Sequence, residues 1–403
     1  MTVYLSAREA AARLGVSTQT LYAYVSRGRL RAYATDDPRA RRYEANAVDR
    51  LAAEQRRGRR PKEVAKAALD FGAPVLESRL TLIRDGRLWY RGVDALDLAE
   101  TARVEDVAAL LWSMPAAAAF GENRSTPDPG PPRPAADGPK ARSPSELLAR
   151  FAASDEDDET ASWMVDGARL AAGCGAAVRQ LLGCITNRRT SCASIHGQYA
   201  AAHDLDATGA DLIRRALILC ADHELNASTF TVRCVASTGA SLRVAVVAGL
   251  AALAGPRHGG VTTRVETLWD AIEGRPVLET LRARLAAGED LPGFGHPLYP
   301  DGDPRAAALL APMLTSNETV AEFVAAVAHL TGQRPSLDVA LVAVRRHLRL
   351  PIGSAFDLFA LGRSVGWIAH ALEQRSAGQL IRPRAIYVGP PPSPVARQSV
   401  TRR

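Results

Sequence analysis

Aromatic residues make up only 5% of this 403-residue chain, and cysteine and methionine are scarcer still, at five and four. Its apolar residues, 47% of the total, are mostly alanine, leucine and valine. That mixture favours closely packed helices over a β-sandwich, so a mainly α fold is expected. The cysteines, Cys174, Cys184, Cys192, Cys220 and Cys234, are odd in number and form no C-x-x-C pair. Neither a disulfide framework nor a zinc site is suggested, and no metal is expected. No apolar run reaches the length of about 18 residues that a membrane-spanning helix needs. The first residues, MTVYLSAREAAARLG, show no cleavage site. A soluble, cytoplasmic protein without membrane contact is the expectation.

Charge, by contrast, is present and unevenly spread. The chain carries a net +7, while its first 62 residues hold 14 lysines and arginines against six acidic residues, a net +8. The remainder is therefore nearly neutral. A basic end on a balanced body suggests a separate module with an anionic partner. At 403 residues the chain also exceeds the size at which one core usually stops growing. Two or more domains follow.

In the basic segment, Ser6 and Glu9 form a capping box for AREAAARLG, and Gly15 suits its end. A second short helix, with Ser17 or Thr18 as cap, places Leu21 and Val25 on one inner face and stops at Gly28. Two strands around Asp36, Asp37 and Pro38 read as a hairpin, and ANAVDRLAAEQRRGRRP as a third helix running into a cationic tail. This pattern resembles the winged helix-turn-helix of the MerR and excisionase type, with residues 1–60 as the module. The resemblance implies DNA as a partner, with Arg27, Arg29, Arg41 and Arg42 on phosphates and Gln19, Thr20 and Tyr22 near base edges. A helical dimerisation module with a solvated basic face is the other reading.

A linker at residues 61–72 follows. ESRLTLIRDGRLWYRG then carries Leu80, Leu82, Leu88 and Tyr90 around the turn pair Asp85-Gly86, a hairpin signal. From Val104 onward helical patterns dominate. Residues 120–145, rich in proline, glycine and charge, read as a mobile insertion, and residues 391–403 as a disordered tail.

Four stretches interrupt the apolar helices with groups that are costly to bury unpartnered. They are ADHELNASTF with His223, GPRHGG with His258, LPGFGHPLYPDGDPRAA with His296 and Arg305, and the segment from Asp338 to Arg363. Glycines beside His258 and His296 let a ligand approach the backbone closely. Arginines in helical surroundings suit bidentate clamping of carboxylates. An isolated carboxylate among apolar residues, helped by a histidine that bonds a developing enolate, fits proton abstraction next to a carbonyl. An anionic second substrate would be held by the arginines.

In order and spacing, YRGVDALDLAE, DHELNASTF, GPRHGG, GFGH…DPRA, GRSVGWIAHALEQ and LIRPRAIYVGP resemble the citrate synthase family over residues 73–390. The resemblance implies large and small helical domains, the small one at roughly 255–350, in a homodimer. It implies an acyltransferase of the tricarboxylic acid cycle that condenses acetyl-CoA with oxaloacetate and hydrolyses the citryl thioester. No cofactor would be tightly bound, since the coenzyme A thioester is a co-substrate.

Carried over by motif, Asp338 would be the base, His258 would stabilise the enol, and His296 would bind the keto group and act as acid. His223, Arg305 and Arg363 would hold oxaloacetate, with Arg382 reaching into the partner's site. Leu291, Gly293, Phe294 and Gly295 would lie along coenzyme A. His196, His203, His329, His347 and His370 fit no catalytic motif and read as structural or exposed.

The chain departs from the family where GHRVYK is common, because Pro297 and Pro300 stand at the basic positions. Coenzyme A phosphates would then fall to other residues, such as the pairs Arg188–Arg189 or Arg345–Arg346. Val261, Thr262 and Thr263 also replace the asparagine frequent after HGGA. Two alternatives stay open: 2-methylcitrate synthesis from propionyl-CoA, and a DNA-binding regulator whose body senses metabolites.

Overall fold

The computed structural model describes residues 4–26, 30–34, 41–45, 47–49, 51–52, 76–121, 143–154 and 158–391. The chain forms two compact units, Met1–Glu77 and Ser78–Arg403. Arg27, Gly28, Arg29, the Asp36–Pro38 turn, the 61–72 linker, residues 122–142 of the proposed insertion and the chain after 391 lie outside the described residues.

In the first unit β1 (Tyr4–Ser6) leads directly into α1 (Ala7–Leu14), followed by α2 (Thr18–Ser26), β2 (Tyr33–Ala34) and β3 (Arg41–Glu44). The start and stop of α1 follow from local chemistry. Ser6 accepts the Glu9 amide, Glu9 accepts the Ser6 amide at 2.8 Å, and Gly15 ends the helix at φ +67°. Ser17 rather than Thr18 serves α2, its hydroxyl accepting the Thr20 amide at 3.1 Å. The three strands form an antiparallel sheet in the order β1-β3-β2. Leu14, Leu21, Leu30, Tyr43, Val48 and Leu51 make its core. Residues 45, 47–49 and 51–52 are helical, in keeping with a third helix there.

The second unit opens with β4 (Thr81–Arg84), β5 (Arg87–Tyr90) and β6 (Val93–Asp94). Asp85 and Gly86 both have positive φ, +52° and +72°, as a two-residue hairpin with this twist requires. Leu80, Leu88 and Tyr90 are buried, but Leu82 is 42% exposed. The register sets Leu82 opposite Trp89, while Leu88 and Tyr90 stand opposite Ile83 and Thr81, so Leu82 is on the outer face.

Helices follow: α3 (Ala95–Thr101), α4 (Val104–Trp112), α5 (Ala116–Phe120), α6 (Pro144–Ala152), α7 (Gly167–Thr186), α8 (Ile195–Ala202) and α9 (Ala207–Cys220). The edges of the proposed insertion are ordered, since Phe120 is buried at the end of α5 and Pro144 begins α6. Next come α10 (Ala227–Ala236), α11 (Leu242–Leu253), α12 (Val261–Ile272), α13 (Val277–Ala286) and α14 (Pro304–Ser316). The last are α15 (Glu318–Thr331), α16 (Leu337–His347) and α17 (Ser354–Ala377).

The organising element is α17, 24 residues long and buried along most of its length. It packs against α4, α7, α9, α10, α11 and α16, so groups from distant parts of the chain are referred to one axis. Trp112 of α4 donates its indole N–H to the Val365 carbonyl at 2.9 Å. Among the described residues no helix is long and apolar enough to cross a membrane, and no cluster of metal-ligating side chains occurs.

Candidate active site

The His223 loop begins where α9 ends. Tyr90, fully buried, shares its hydroxyl proton between the carbonyls of Ile218 (3.0 Å) and Asp222 (3.2 Å), so the β4–β5 hairpin caps this helix end. Gly366 of α17 donates its amide to the Ala221 carbonyl at 3.0 Å, and Arg363 donates Nε–H to the Cys220 carbonyl at 2.7 Å. Asp222, fully buried, accepts from the Thr81 hydroxyl and lies 3.3 Å from His370 Nε2. His223 is thereby turned inward, with its Nε2 3.0 Å from the Tyr299 hydroxyl. Burial, then the charges of Arg305 and Arg363, push its pKa well below the ordinary value, so the ring is neutral.

The segment from Leu291 to Arg305 meets it from another side. Gly293 and Gly295 take φ of +85° and +75°, conformations that cost a side-chain-bearing residue energy. Between them Phe294 forms an antiparallel bridge with Pro335, closed by the Gly295 amide on the Arg334 carbonyl and the Ser336 amide on the Gly293 carbonyl, each 2.8 Å. Leu291 and Phe294 are buried, and the Phe294 ring meets Phe323 edge-on at 5.4 Å. His296, half-buried, accepts the Leu298 amide on Nδ1 at 3.1 Å. With its pKa lowered by burial and by Arg305, the neutral ring must carry its proton on Nε2. The rings of His223 and His296 stand 5.2 Å apart at 89°, and Tyr299 lies 5.6 and 5.1 Å from them.

Arg305 is buried and doubly tied to Asp303, Nε to one oxygen at 2.9 Å and Nη2 to the other at 2.7 Å. That leaves the Nη1 edge of the fork for an anion. Asp303 also accepts the Arg305 amide as the cap of α14 and the Leu337 amide at 3.2 Å. One buried carboxylate thus joins the arginine to the start of the next helix.

Asp338 stands in the first turn of that helix, α16. Its Oδ2 accepts from the Ser336 hydroxyl at 3.1 Å, while Oδ1 is sealed from solvent and has no hydrogen-bond partner among the described residues. Burial raises its pKa to about 6, against the smaller lowering effects of Ser336 and Arg305. A carboxylate with one unsatisfied, desolvated oxygen is a stronger base than one in water.

His258 ends the loop after α11. Its Nε2 lies 2.8 Å from the Ser228 hydroxyl, which also receives the Trp367 indole N–H at 3.1 Å. The Ser228 hydroxyl also donates to Asn226 Oδ1 at 2.8 Å, an oxygen that accepts the Thr229 amide as well. The hydroxyl has one proton for these two neighbours, so the tautomer of the His258 ring follows from which of them receives it. Burial and then the Arg363 charge lower the His258 pKa to about 4, so the ring is neutral. Phe359 lies between the two groups, 6.0 Å from the His258 ring and 5.0 Å from the Arg363 guanidinium carbon.

Of the residues singled out by sequence, His223, His296 and Arg305 share Tyr299, and Arg363 and His258 share Phe359, while Asp338 is reached through Asp303. Arg382 is exposed after α17, its guanidinium bonding the Pro383 carbonyl at 3.4 Å and none of these groups. Arg345 and Arg346 are paired with Glu266 (3.5 and 2.9 Å), and Arg346 also with Asp270 and Glu273, so their charge is already matched. Arg188 and Arg189 are exposed. His370 is structural, as expected. In the first unit Gln19, Tyr22, Arg41 and Arg42 are exposed, and Thr20 is half-buried with its hydroxyl 2.9 Å from that of Ser17. Tyr299, Asp303, Ser228 and Trp367 were not singled out. Only Asp303, placed before Pro304 as a helix cap, left a signal in the sequence.

The site thus combines a desolvated carboxylate, neutral histidines and buried arginines within a helical body. Two family models match the chain: "Citrate synthase, C-terminal domain" over residues 142–384, more than half of it, and "Helix-turn-helix domain" over residues 4–56. The chain belongs to the citrate synthase family. It is 38% identical over 187 residues to Putative citrate synthase 2 of Mycobacterium bovis, covering 43% of this chain and 50% of that protein. It is 37% identical over 188 residues to 2-methylcitrate synthase of Mycobacterium tuberculosis, covering 43% and 47%. The chain thus spans about half the length of the curated relatives it matches. A solved structure of citrate synthase from Thermoplasma acidophilum, a ternary complex with carboxymethyl coenzyme A and oxaloacetate, superposes with a TM-score of 0.64 at 25% identity, over 80% of this chain and 95% of that one.

Proposed function

We propose that this chain condenses acetyl-CoA with oxaloacetate and water to give citrate and coenzyme A. The observation that carries the reading is Asp338, whose solvent-sealed Oδ1 has no partner among the described residues and whose pKa is raised to about 6. Asp338 removes a proton from the thioester methyl group. His258 donates a hydrogen bond to the enolate oxygen as charge develops there. The nucleophilic carbon adds to the keto carbon of oxaloacetate, whose oxygen receives a proton from His296 Nε2, and hydrolysis of the citryl thioester releases coenzyme A.

His223, Arg305 and Arg363 hold the oxaloacetate carboxylates, while the backbone at Leu291, Gly293, Phe294 and Gly295 lines the thioester's path. Residues 255–350 act as a small domain. The active form is a homodimer in which Arg382 enters the partner's site. The exposed Leu380 (60%), Ile386 (58%), Tyr387 (73%) and Val388 (84%) beside it support burial against a second copy. The test is release of free thiol from acetyl-CoA with oxaloacetate. Activity in the wild type and none in Asp338→Ala is the expected result, and an inactive wild type overturns the reading.

The likeness to a protein named 2-methylcitrate synthase supports propionyl-CoA as a second acyl donor. The same assay run with both thioesters decides between them. The helix-turn-helix match and the exposed Gln19, Tyr22, Arg41 and Arg42 support a further role, DNA binding by the first unit. Regulation through metabolites bound by the body would then appear as a shift in DNA affinity when oxaloacetate or acetyl-CoA is added.

A further inference from the structure

We propose that Tyr299 is a positioning residue of the oxaloacetate site: its phenol donates to His223 Nε2, fixes the proton of His223 on Nδ1, and holds the Arg305 guanidinium against its ring. The inference rests on the functional reading above only for the identity of the ligand.

Tyr299 is 2% exposed, and its hydroxyl has one partner among the described residues, His223 Nε2 at 3.0 Å. Its own amide donates to the His296 carbonyl at 2.9 Å, so the ring is anchored to the loop that carries the second histidine. The Arg305 guanidinium carbon lies 5.4 Å from the ring centre, within cation–π range. Three groups proposed to touch the substrate are therefore in contact with one side chain that does not need to touch it.

One proton lies between the phenol and the imidazole. Burial drives the phenol pKa up to about 12 and keeps it protonated, while the His223 ring is neutral. An imidazole nitrogen lone pair accepts a hydrogen bond better than a phenol oxygen, whose lone pair is delocalised into its ring. The proton therefore stays on oxygen and points at Nε2. His223 Nδ1 has no protein partner among the described residues and is not sealed from solvent. It is left as an N–H donor toward a ligand oxygen, and without the phenol either tautomer is allowed.

Nitrogen NMR of protein labelled with 15N-histidine reads the tautomer directly, with His223 assigned by loss of its signals in His223→Gln. The expected result is Nδ1–H in the wild type between about pH 6 and 9, and a tautomer mixture in Tyr299→Phe. The Phe variant keeps the ring and hence the packing, which a melting curve checks, and the wild-type spectrum decides even if the variant does not fold. In turnover, Tyr299→Phe raises KM for oxaloacetate about 10-fold and changes kcat less than about threefold. Nε2–H in the wild type, or an unchanged tautomer and KM in the variant, overturns the proposal. A wild type that releases no coenzyme A overturns the enzymatic reading instead, and leaves the tautomer measurement to decide this one.

Discussion

The carbonyl of Gly293 receives the amide of Ser336 at 2.8 Å, which ties the loop bearing His296 to the residue that caps the helix bearing Asp338. Proposed acid and proposed base are thus set against each other by backbone, not by side-chain packing alone. A backbone tie of this kind makes the loop sensitive to what stands at position 293.

Gly293→Ala therefore tests it. An added Cβ would lie 2.7 Å from both Val265 Cγ2 and Val339 Cγ2, at a φ of +85°. A loss of about 2–4 kcal/mol is expected from left-handed strain plus overpacking. Chemical denaturation measures the loss, and a stability within error of the wild type would contradict the geometry.

Asp338→Asn separates chemistry from stability. Turnover should fall by at least about a thousandfold, since no other carboxylate shares the role. Stability should move the other way. The folded pKa of about 6 lies above the ordinary 3.8, so the folded state binds this proton more tightly and loses stability as pH rises through that window. The neutral amide avoids the loss and gains about 1–2 kcal/mol at pH 7.5, allowing for partial exposure.

The pH profile carries the same signature. kcat/KM should rise with pH through about 6 as Asp338 loses its proton, then stay level. His258, at about 4, and His223, pushed well below its ordinary value by burial, titrate below this limb. A limb centred above pH 7 would rule Asp338 out as the titrating base.

Ser228→Ala removes the hydroxyl that bonds His258 Nε2. A fall in kcat of about 10–100-fold is expected, part of what one oxyanion donor supplies, with KM for oxaloacetate little changed. Steady-state kinetics distinguishes this from a fall in both constants, which would indicate general damage.

For the first unit, replacing Arg41 and Arg42 with alanine should lower the slope of log affinity for duplex DNA against log salt by about 2, roughly one per lost phosphate contact. Titrations at several salt concentrations give the slope. No binding by the wild type at low salt would remove the DNA reading altogether.

Features set by neighbouring residues were legible in the sequence. The Ser6, Glu9 and Gly15 signals and the Asp85-Gly86 turn describe contacts within a few positions, and each is met. β1 and β6 were not anticipated, because strands of three and two residues have no readable alternation and exist through their partners β3 and β5. The site divides similarly. Glycine-flanked histidines and lone arginines stand out against alanine-rich helices, and five of them converge with Asp338. Tyr299 and Ser228 looked ordinary because their roles depend on partners 76 and 30 residues away. Leu82 is exposed because the register sets it opposite Trp89, while Leu88 and Tyr90 face Ile83 and Thr81.

The close passage of α17 beside α9 has an evolutionary consequence. A Cβ on Gly362 would fall 2.6 Å from the Leu217 carbonyl oxygen and from Cys220 Cβ, and one on Gly366 would fall 2.2 Å from the Ala221 carbonyl oxygen. Those carbonyls belong to the backbone and cannot step aside. Selection has a single letter to choose from at both positions, whereas the outer faces of neighbouring helices are free to drift. A change of chemistry at the site could free Asp338 and His258 to vary, yet the fold would still hold these two glycines in place.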